Sequence, residues 1–406
     1  MSMMHSGNRT VLIGLLLLTA FMSRVFPYST GILAYANPLK GDIGVHDPVM
    51  IRQDSLYYVF HTGALVQIKT STDRITWKQR GSVFAAGPSW FRTYVPENDG
   101  KDCWAPDISY RDGKFWLYYS VSTFGKRVSA IGLATNATLN SSSPDYRWVD
   151  EGMVINSTNS NDYNCIDPNL FVDTDGKVWL SFGSWNTGIK MVELDPETGK
   201  LLSSKPTVLS LARRRNTGTG IEAPFIIRHA SYYYLFTSWD VCCKGVSSTY
   251  NIRAGRAAKV TGPYADKSGV ALSGGGGTLV DKGDERWIGP GHNGIFTEHD
   301  TVFLVNHAYD AQANGASKLM IRPLYWDKDG WPTLDGSKGE VTPALREPQA
   351  VIPVRMRKQL HPVVFMTEGI RKPVDVQRVY SLTGRPVPVG SHRRRPVPGV
   401  YLIRQP

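Results

Sequence analysis

Asp47, Asp107, Asp167, Glu222 and His292 stand at intervals of 60, 60, 55 and 70 residues along the 406-residue chain. Each lies beside or near a proline, in Asp47-Pro48, Pro106-Asp107, Asp167-Pro168, Glu222-Ala223-Pro224 and Pro290-Gly291-His292. Carboxylates gathered at one concave site suit two kinds of chemistry, metal binding and acid/base catalysis. Breaking a glycosidic bond needs two carboxyl groups on opposite sides of a sugar. One protonates the leaving oxygen, and the other activates water or attacks carbon. A third carboxylate nearby raises the pKa of the acid by like-charge repulsion. Sugars also need aromatic platforms for their apolar C–H faces. Trp90, Trp104, Phe124, Trp185 and Trp239 are candidates, with Trp104 and Trp185 the best placed.

The elements that must position these residues repeat with them. After each acid or histidine comes a short apolar strand, a tight turn and an aromatic strand. Examples are ISY, Arg111-Asp112-Gly113-Lys114 and FWLYY in the second copy, and FII, His229-Ala230 and YYYLF in the fourth. Further strand-like runs, Ser129–Ala134 and Ile189–Leu194 among them, bring each unit to roughly four strands, the content of a propeller blade. A sustained helical period is almost absent. The expected fold is therefore all-β, a five-bladed β-propeller over residues 37–345. In such a ring the first strand of each blade lines the central axis, so the five opening residues should meet around one pit.

Charge and composition narrow the function. The net charge is +11, yet residues 37–345 hold 32 basic and 32 acidic residues. The excess lies in residues 346–406, with 12 basic and 3 acidic residues. A body without a global field has nothing to attract a polyanion, which excludes nucleic acid as a partner and favours a neutral polysaccharide. Val11–Met22 is apolar but short of a membrane span, follows Arg9 and precedes Ala34-Tyr35-Ala36. Residues 1–36 read as a signal peptide, and the chain as secreted, periplasmic or cell-surface; an uncleaved anchor is the competing reading. No stable membrane span is expected, and the expected state is a monomer. Cys103, Cys165, Cys242 and Cys243 match no zinc-site spacing, and their pairing is left open.

At these residues the sequence resembles glycoside hydrolase family 43, and within it the endo-1,5-α-L-arabinanases. The matching pieces are His46-Asp47-Pro48, Trp104–Ile108, Tyr119–Gly125, Ser129–Ala134, Asn164–Pro168, Gly183–Trp185 with Gly188–Lys190, Ile221–Phe225, Cys242–Gly245 and Gly289–Asn293. The resemblance implies a five-bladed propeller and inverting, single-displacement hydrolysis of internal α-1,5 links in arabinan. It implies Asp47 as general base, Glu222 as general acid and Asp167 as the residue that tunes and orients the acid. Asp107 is a supporting blade acid. The resemblance places Trp104, Phe124, Gly125, Asn164, Ser184 and Trp185 along the substrate groove. It also implies that His292 holds a channel metal ion, commonly calcium, with mostly water ligands; no organic cofactor is implied. An exo-acting arabinofuranosidase or β-xylosidase on the same fold, and a non-catalytic sugar-binding propeller, are the alternatives. Residues 346–406 form a basic extension. Val379–Arg385 and Pro398–Leu402 resemble the last part of the C-terminal sorting domain of the type IX secretion pathway.

Overall fold

The computed structural model describes residues 37–216 and 219–340, together with the strand pairs 379–380, 386–387 and 402–403. The signal-peptide reading of residues 1–36 lies outside the described residues. Five antiparallel sheets follow one another along the chain. Their innermost strands are Val49–Gln53, Asp102–Arg111, Asn169–Val172, Ile221–His229 and Trp287–Glu298. From each, the chain meanders outward through strands paired with their sequence neighbours, giving a five-bladed β-propeller.

Local chemistry sets the hairpins. In blades 1, 2, 4 and 5 the first two strands are joined by two residues. The leading turn residue takes a left-handed φ, +53° at Asp54, +51° at Asp112, +50° at Ala230 and +51° at His299. Turns of that hand match the twist of the flanking strands. Blade 3 uses a longer turn from Asp173 to Lys177.

The blades pack face to face on aromatic and branched side chains. Tyr118, Leu133 and Leu180 lie in one buried cluster from blades 2 and 3. Met191, Ile226 and Leu235 join blades 3 and 4. Val59, Trp77, Phe296 and Leu319 join blades 1 and 5. The ring is closed by residues 37–45. Lys40–Gly41 runs parallel to Thr76–Trp77 on the outer edge of blade 1. The same segment reaches blade 5, where Asn37 Nδ2 donates to the Leu319 carbonyl (2.8 Å) and Leu319 N–H donates to the Ile43 carbonyl (2.8 Å). Among the described residues, no helix is long and apolar enough to cross a membrane.

Residues 353–406 form a separate unit. In it Val379–Tyr380 pairs antiparallel with Pro386–Val387 and with Leu402–Ile403.

Candidate active site

One residue at the mouth of each inner strand has a left-handed backbone. These are Asp47 (+51°), Ala105 (+47°), Asp167 (+60°), Ala223 (+53°) and His292 (+52°). In blades 2, 4 and 5 the pairing register slips across this point, between Trp104 and Asp107, Glu222 and Phe225, and Gly291 and Gly294. Such bulges re-aim side chains beside functional sites. Proline follows the left-handed residue in blades 1 to 4 and has no N–H to leave unpaired there.

Each of these five backbone N–H groups finds an acceptor, and together they run around the ring. Ala105 donates to Thr62 Oγ1 (2.8 Å), Asp167 to Ser120 Oγ (2.9 Å) and His292 to Ser238 Oγ (2.9 Å). Asp47 donates to His307 Nδ1 (3.1 Å), which links blade 1 to blade 5. In all four cases the acceptor stands on, or just beyond, the second strand of the preceding blade. Blade 3 differs because Gly183 follows its second strand, Val178–Phe182, and brings no side-chain acceptor. There the Ala223 N–H donates to Asp167 Oδ2 (3.0 Å). The missing hydroxyl is replaced by a carboxylate, which fixes Asp167 next to the residue that follows Glu222.

The frame shows where the five sequence candidates go. Asp47, Asp167 and His292 occupy ring positions, and Glu222 stands one residue before its own. Asp107 does not: Ala105 holds the blade 2 position, and Asp107 lies two residues deeper. Its Oδ2 accepts from Leu170 N–H (2.7 Å) and Asn169 Nδ2 (3.3 Å). Asp107 therefore latches blade 2 to blade 3. Asn169 repeats the latch one blade on, its Oδ1 accepting from Ile226 N–H (2.8 Å).

Asp47 sits among imidazoles. Its Oδ1 lies 3.2 Å from His292 Nδ1, and Thr62 Oγ1 donates to its Oδ2. Burial alone would raise its pKa, but the charge and hydrogen bond of His292, with a smaller effect of His46, hold it well below the usual carboxylate range. Burial would lower His292, yet Asp47 holds its pKa up at about 9. His307 is different. Because Nδ1 accepts from Asp47 N–H, its proton belongs on Nε2, 3.3 Å from the Tyr309 hydroxyl. Burial holds this ring neutral.

Glu222 sits among neutral hydroxyls. Ser184 Oγ donates to Oε2 (2.7 Å) and Tyr250 OH to Oε1 (2.8 Å). Burial raises the Glu222 pKa more than these two bonds lower it. Asp167 is raised as well, by burial first and then by the charges of Glu222 and Asp47. Two like charges this close do not both ionise readily, so the pair holds a proton where Asp47 does not.

Of the groove residues, Ser184 is buried against Glu222, as just described. Phe124 is 73% exposed beside Gly125, which has open space around it. Asn164 lies on the same rim, with Nδ2 3.5 Å from the Lys126 carbonyl and Oδ1 buried without a partner. Trp185 is half-buried on a left-handed backbone (+53°), with its N–H on the Ile221 carbonyl (2.9 Å). Trp104 is half-buried beside Ala105. Trp239 is buried between the guanidinium groups of Arg214 (4.1 Å) and Arg253 (4.5 Å), so it packs rather than presents a face. Sequence reasoning missed Tyr250, Thr62 and His307 as site residues. His307 aligns with Ser120 and Ser238 when the second strands are superposed, so that signal was present.

His46, Asp47 and His307 bring potential ligand atoms within 4.8 Å of one another. Two imidazoles and one carboxylate suit a borderline metal better than calcium, which takes 6–8 oxygen ligands. His292 Nδ1 is turned to Asp47, and a protonated imidazole has no lone pair to give a metal. The protein groups here do not by themselves build a calcium cage.

The comparisons with known proteins fit this geometry. Residues 35–332 match the profile of Glycosyl hydrolases family 43. The chain belongs to that family. This hydrolase is 47% identical over 293 residues to an extracellular endo-α-(1→5)-L-arabinanase of Bacillus subtilis, covering 71% of the chain and 87% of the relative. It is 44% identical over 302 residues to an extracellular exo-α-(1→5)-L-arabinofuranosidase of Cellvibrio japonicus, covering 72% and 87%. Among solved structures, an α-L-arabinanase of Cellvibrio cellulosa complexed with arabinohexaose matches with TM-score 0.70 and 44% identity, over 73% of the hydrolase and 96% of that chain. An endo-arabinanase of Bacillus licheniformis matches with TM-score 0.68 and 48% identity, over 73% and 99%.

Proposed function

We propose that this glycoside hydrolase is an exported endo-1,5-α-L-arabinanase that inverts configuration in a single displacement. The observation that carries the reading is the opposed electrostatics of Asp47 and Glu222 in one pit. Asp47 stays ionised and takes a proton from water as that water attacks the anomeric carbon. Glu222 keeps its proton and delivers it to the leaving glycosidic oxygen. Asp167, held by the Ala223 N–H, shares a proton with Glu222 because the two do not ionise together readily, and fixes the strand on which Glu222 sits. Ser184 and Tyr250 orient the Glu222 carboxyl. His292 keeps Asp47 ionised. A calcium ion in the channel near His292 would take its ligands from water, and no step here depends on it.

The arabinan reading rests on the relatives' activities and on a rim with an exposed aromatic, Phe124, beside the open Gly125. Export is supported by the extracellular relatives. Exo action is the second reading, favoured by the Cellvibrio japonicus relative. A time course on linear arabinan separates the two. Endo cleavage lowers viscosity early, at low release of reducing ends. Exo cleavage releases one small product from the start while viscosity falls slowly. If neither occurs on arabinan, the substrate assignment is wrong.

A further inference from the structure

Cys242 and Cys243 are adjacent, and neither is used by the chemistry above. The other two cysteines cannot reach them: Cys103 and Cys165 are fully buried in blade packing. Cys242 is half-buried and Cys243 is exposed. The two thiols lie close enough to perturb each other's titration. Cys243 also has a left-handed backbone (φ +64°), a conformation that persists in a non-glycine residue only where its surroundings impose it.

Those surroundings belong to the pit. The Cys243 N–H donates to the Tyr309 hydroxyl (2.8 Å), and the Cys243 thiol and the His46 ring lie close enough to perturb each other's titration. The His46 ring lies tilted against His307, 4.6 Å between centroids; His307 accepts the Asp47 N–H, and the His46 backbone runs directly into Asp47. The sulfur pair is thus two contacts from the residue read as general base.

We propose that Cys242 and Cys243 are a reversible covalent modification site, closing to a vicinal disulfide that withdraws Cys243 from His46 and slows hydrolysis. The oxidant is a low-molecular-weight disulfide. The exposed Cys243 sulfur attacks one sulfur of that reagent. A mixed disulfide forms, the reagent's S–S bond breaks, and one small thiol leaves with the Cys243 proton. The Cys242 sulfur then displaces the second small thiol, which leaves with the Cys242 proton. The two cysteines have lost two electrons and two protons, and one disulfide has become two thiols. Adjacent Cα atoms are about 3.8 Å apart across a trans peptide, closer than the roughly 4.4–6.8 Å of ordinary disulfides. The closed form is consequently strained and easily reduced, as reversible disulfides are.

The test uses the full chain, incubated folded with hydroxyethyl disulfide, alkylated with N-ethylmaleimide, digested and weighed. The peptide holding Cys242 and Cys243 should carry neither maleimide nor reagent, and be two hydrogens lighter than its reduced form. In parallel, kcat on linear arabinan should fall about ten- to a hundredfold, the scale that misplacing a reacting group by about 1 Å produces, and return with dithiothreitol. Cys242→Ser under the same treatment should stop at the mixed disulfide on Cys243. A wild-type peptide that still takes two maleimides, or stops at the mixed disulfide, overturns the site. A closed disulfide with unchanged kcat overturns its effect on the pit. The rate readout rests on the arabinanase reading but the thiol mapping does not, so the two fail separately.

Discussion

Asp47, half-buried, and Glu222, buried, are carboxylates of the same pit, and they are driven in opposite directions. Asp47 has the protonated ring of His292 at 3.2 Å. Among the described residues, Glu222 takes hydrogen bonds only from the neutral hydroxyls of Ser184 and Tyr250. Burial pushes both upward. Charge decides the outcome: a cation in contact overcomes the loss of solvent, and two hydroxyls do not. On the proposed mechanism, base and acid roles follow from neighbours. Asp167 falls on the Glu222 side because its contact is a backbone N–H and its nearest charges include Glu222 itself.

The contrast breaks most completely if either carboxyl is made amide. Glu222→Gln keeps the shape and removes the transferable proton, so hydrolysis of linear arabinan should fall by about 10²–10⁴-fold, the usual worth of a general acid. Asp47→Asn should cost a similar factor by removing the base. Circular dichroism and arabino-oligosaccharide binding should both stay near wild type. Activity retained by either variant would end the two-carboxyl mechanism.

His292→Gln attacks the cause of the contrast. Without the imidazolium, the Asp47 pKa rises toward its ordinary value. Asp47 must be ionised to act, so the acidic limb of the kcat/KM profile should move to higher pH. His292 also lowers Asp167 and Glu222, so the alkaline limb should move upward with it. The rate at the optimum should fall by roughly ten- to a hundredfold, the equivalent of a charged hydrogen bond of about 1.5–3 kcal/mol. A profile that stays in place would mean that Asp47 is set by something other than His292.

Much of this was legible in the chain. The repeat of acid, proline, apolar strand, turn and aromatic strand led to the five-bladed ring, because every blade must solve the same packing problem. The misplacement of Asp107 has a simple origin. Counting equal intervals aligns Asp107 with Asp47 and Asp167, whereas aligning Pro48, Pro106, Pro168 and Pro224 puts Ala105 and Ala223 at the ring positions. The proline marks the bulge, and the bulge marks the ring. Tyr250 and Thr62 are harder to read, since a hydroxyl looks the same in sequence whether or not it meets a carboxylate; Ser184, which the resemblance places in the groove, does not reveal its partner either. Thr62 and Tyr250 meet Asp47 and Glu222 within their own blades, 15 and 28 residues away in the chain, whereas Ser184 reaches Glu222 from the neighbouring blade across 38 residues.

Tyr250→Phe sharpens the comparison from the acid side. The hydroxyl donates to Glu222 Oε1 and so favours the ionised form, opposing burial. Removing it should raise the Glu222 pKa further. Glu222 must be protonated to act, so the alkaline limb alone should move to higher pH while the acidic limb stays. The rate should drop only about two- to tenfold, for a bond of roughly 0.5–1.5 kcal/mol to a largely neutral carboxyl. A shift of the acidic limb instead would place Tyr250 on the base.

The smallest effect on rate is expected at Asp107, and that is its value as a control. It is as buried as Asp167, but its Oδ2 serves Leu170 N–H and Asn169 Nδ2 between blades. Asp107→Ala leaves those two buried donors without this acceptor, which should lower the unfolding free energy by about 1–3 kcal/mol in urea titration. The kcat/KM profile below the unfolding range should keep both limbs, because neither Asp47 nor Glu222 bonds to Asp107. A displaced limb would show that the interblade latch reaches the pit, and that the ring and its support cannot be treated as separate layers.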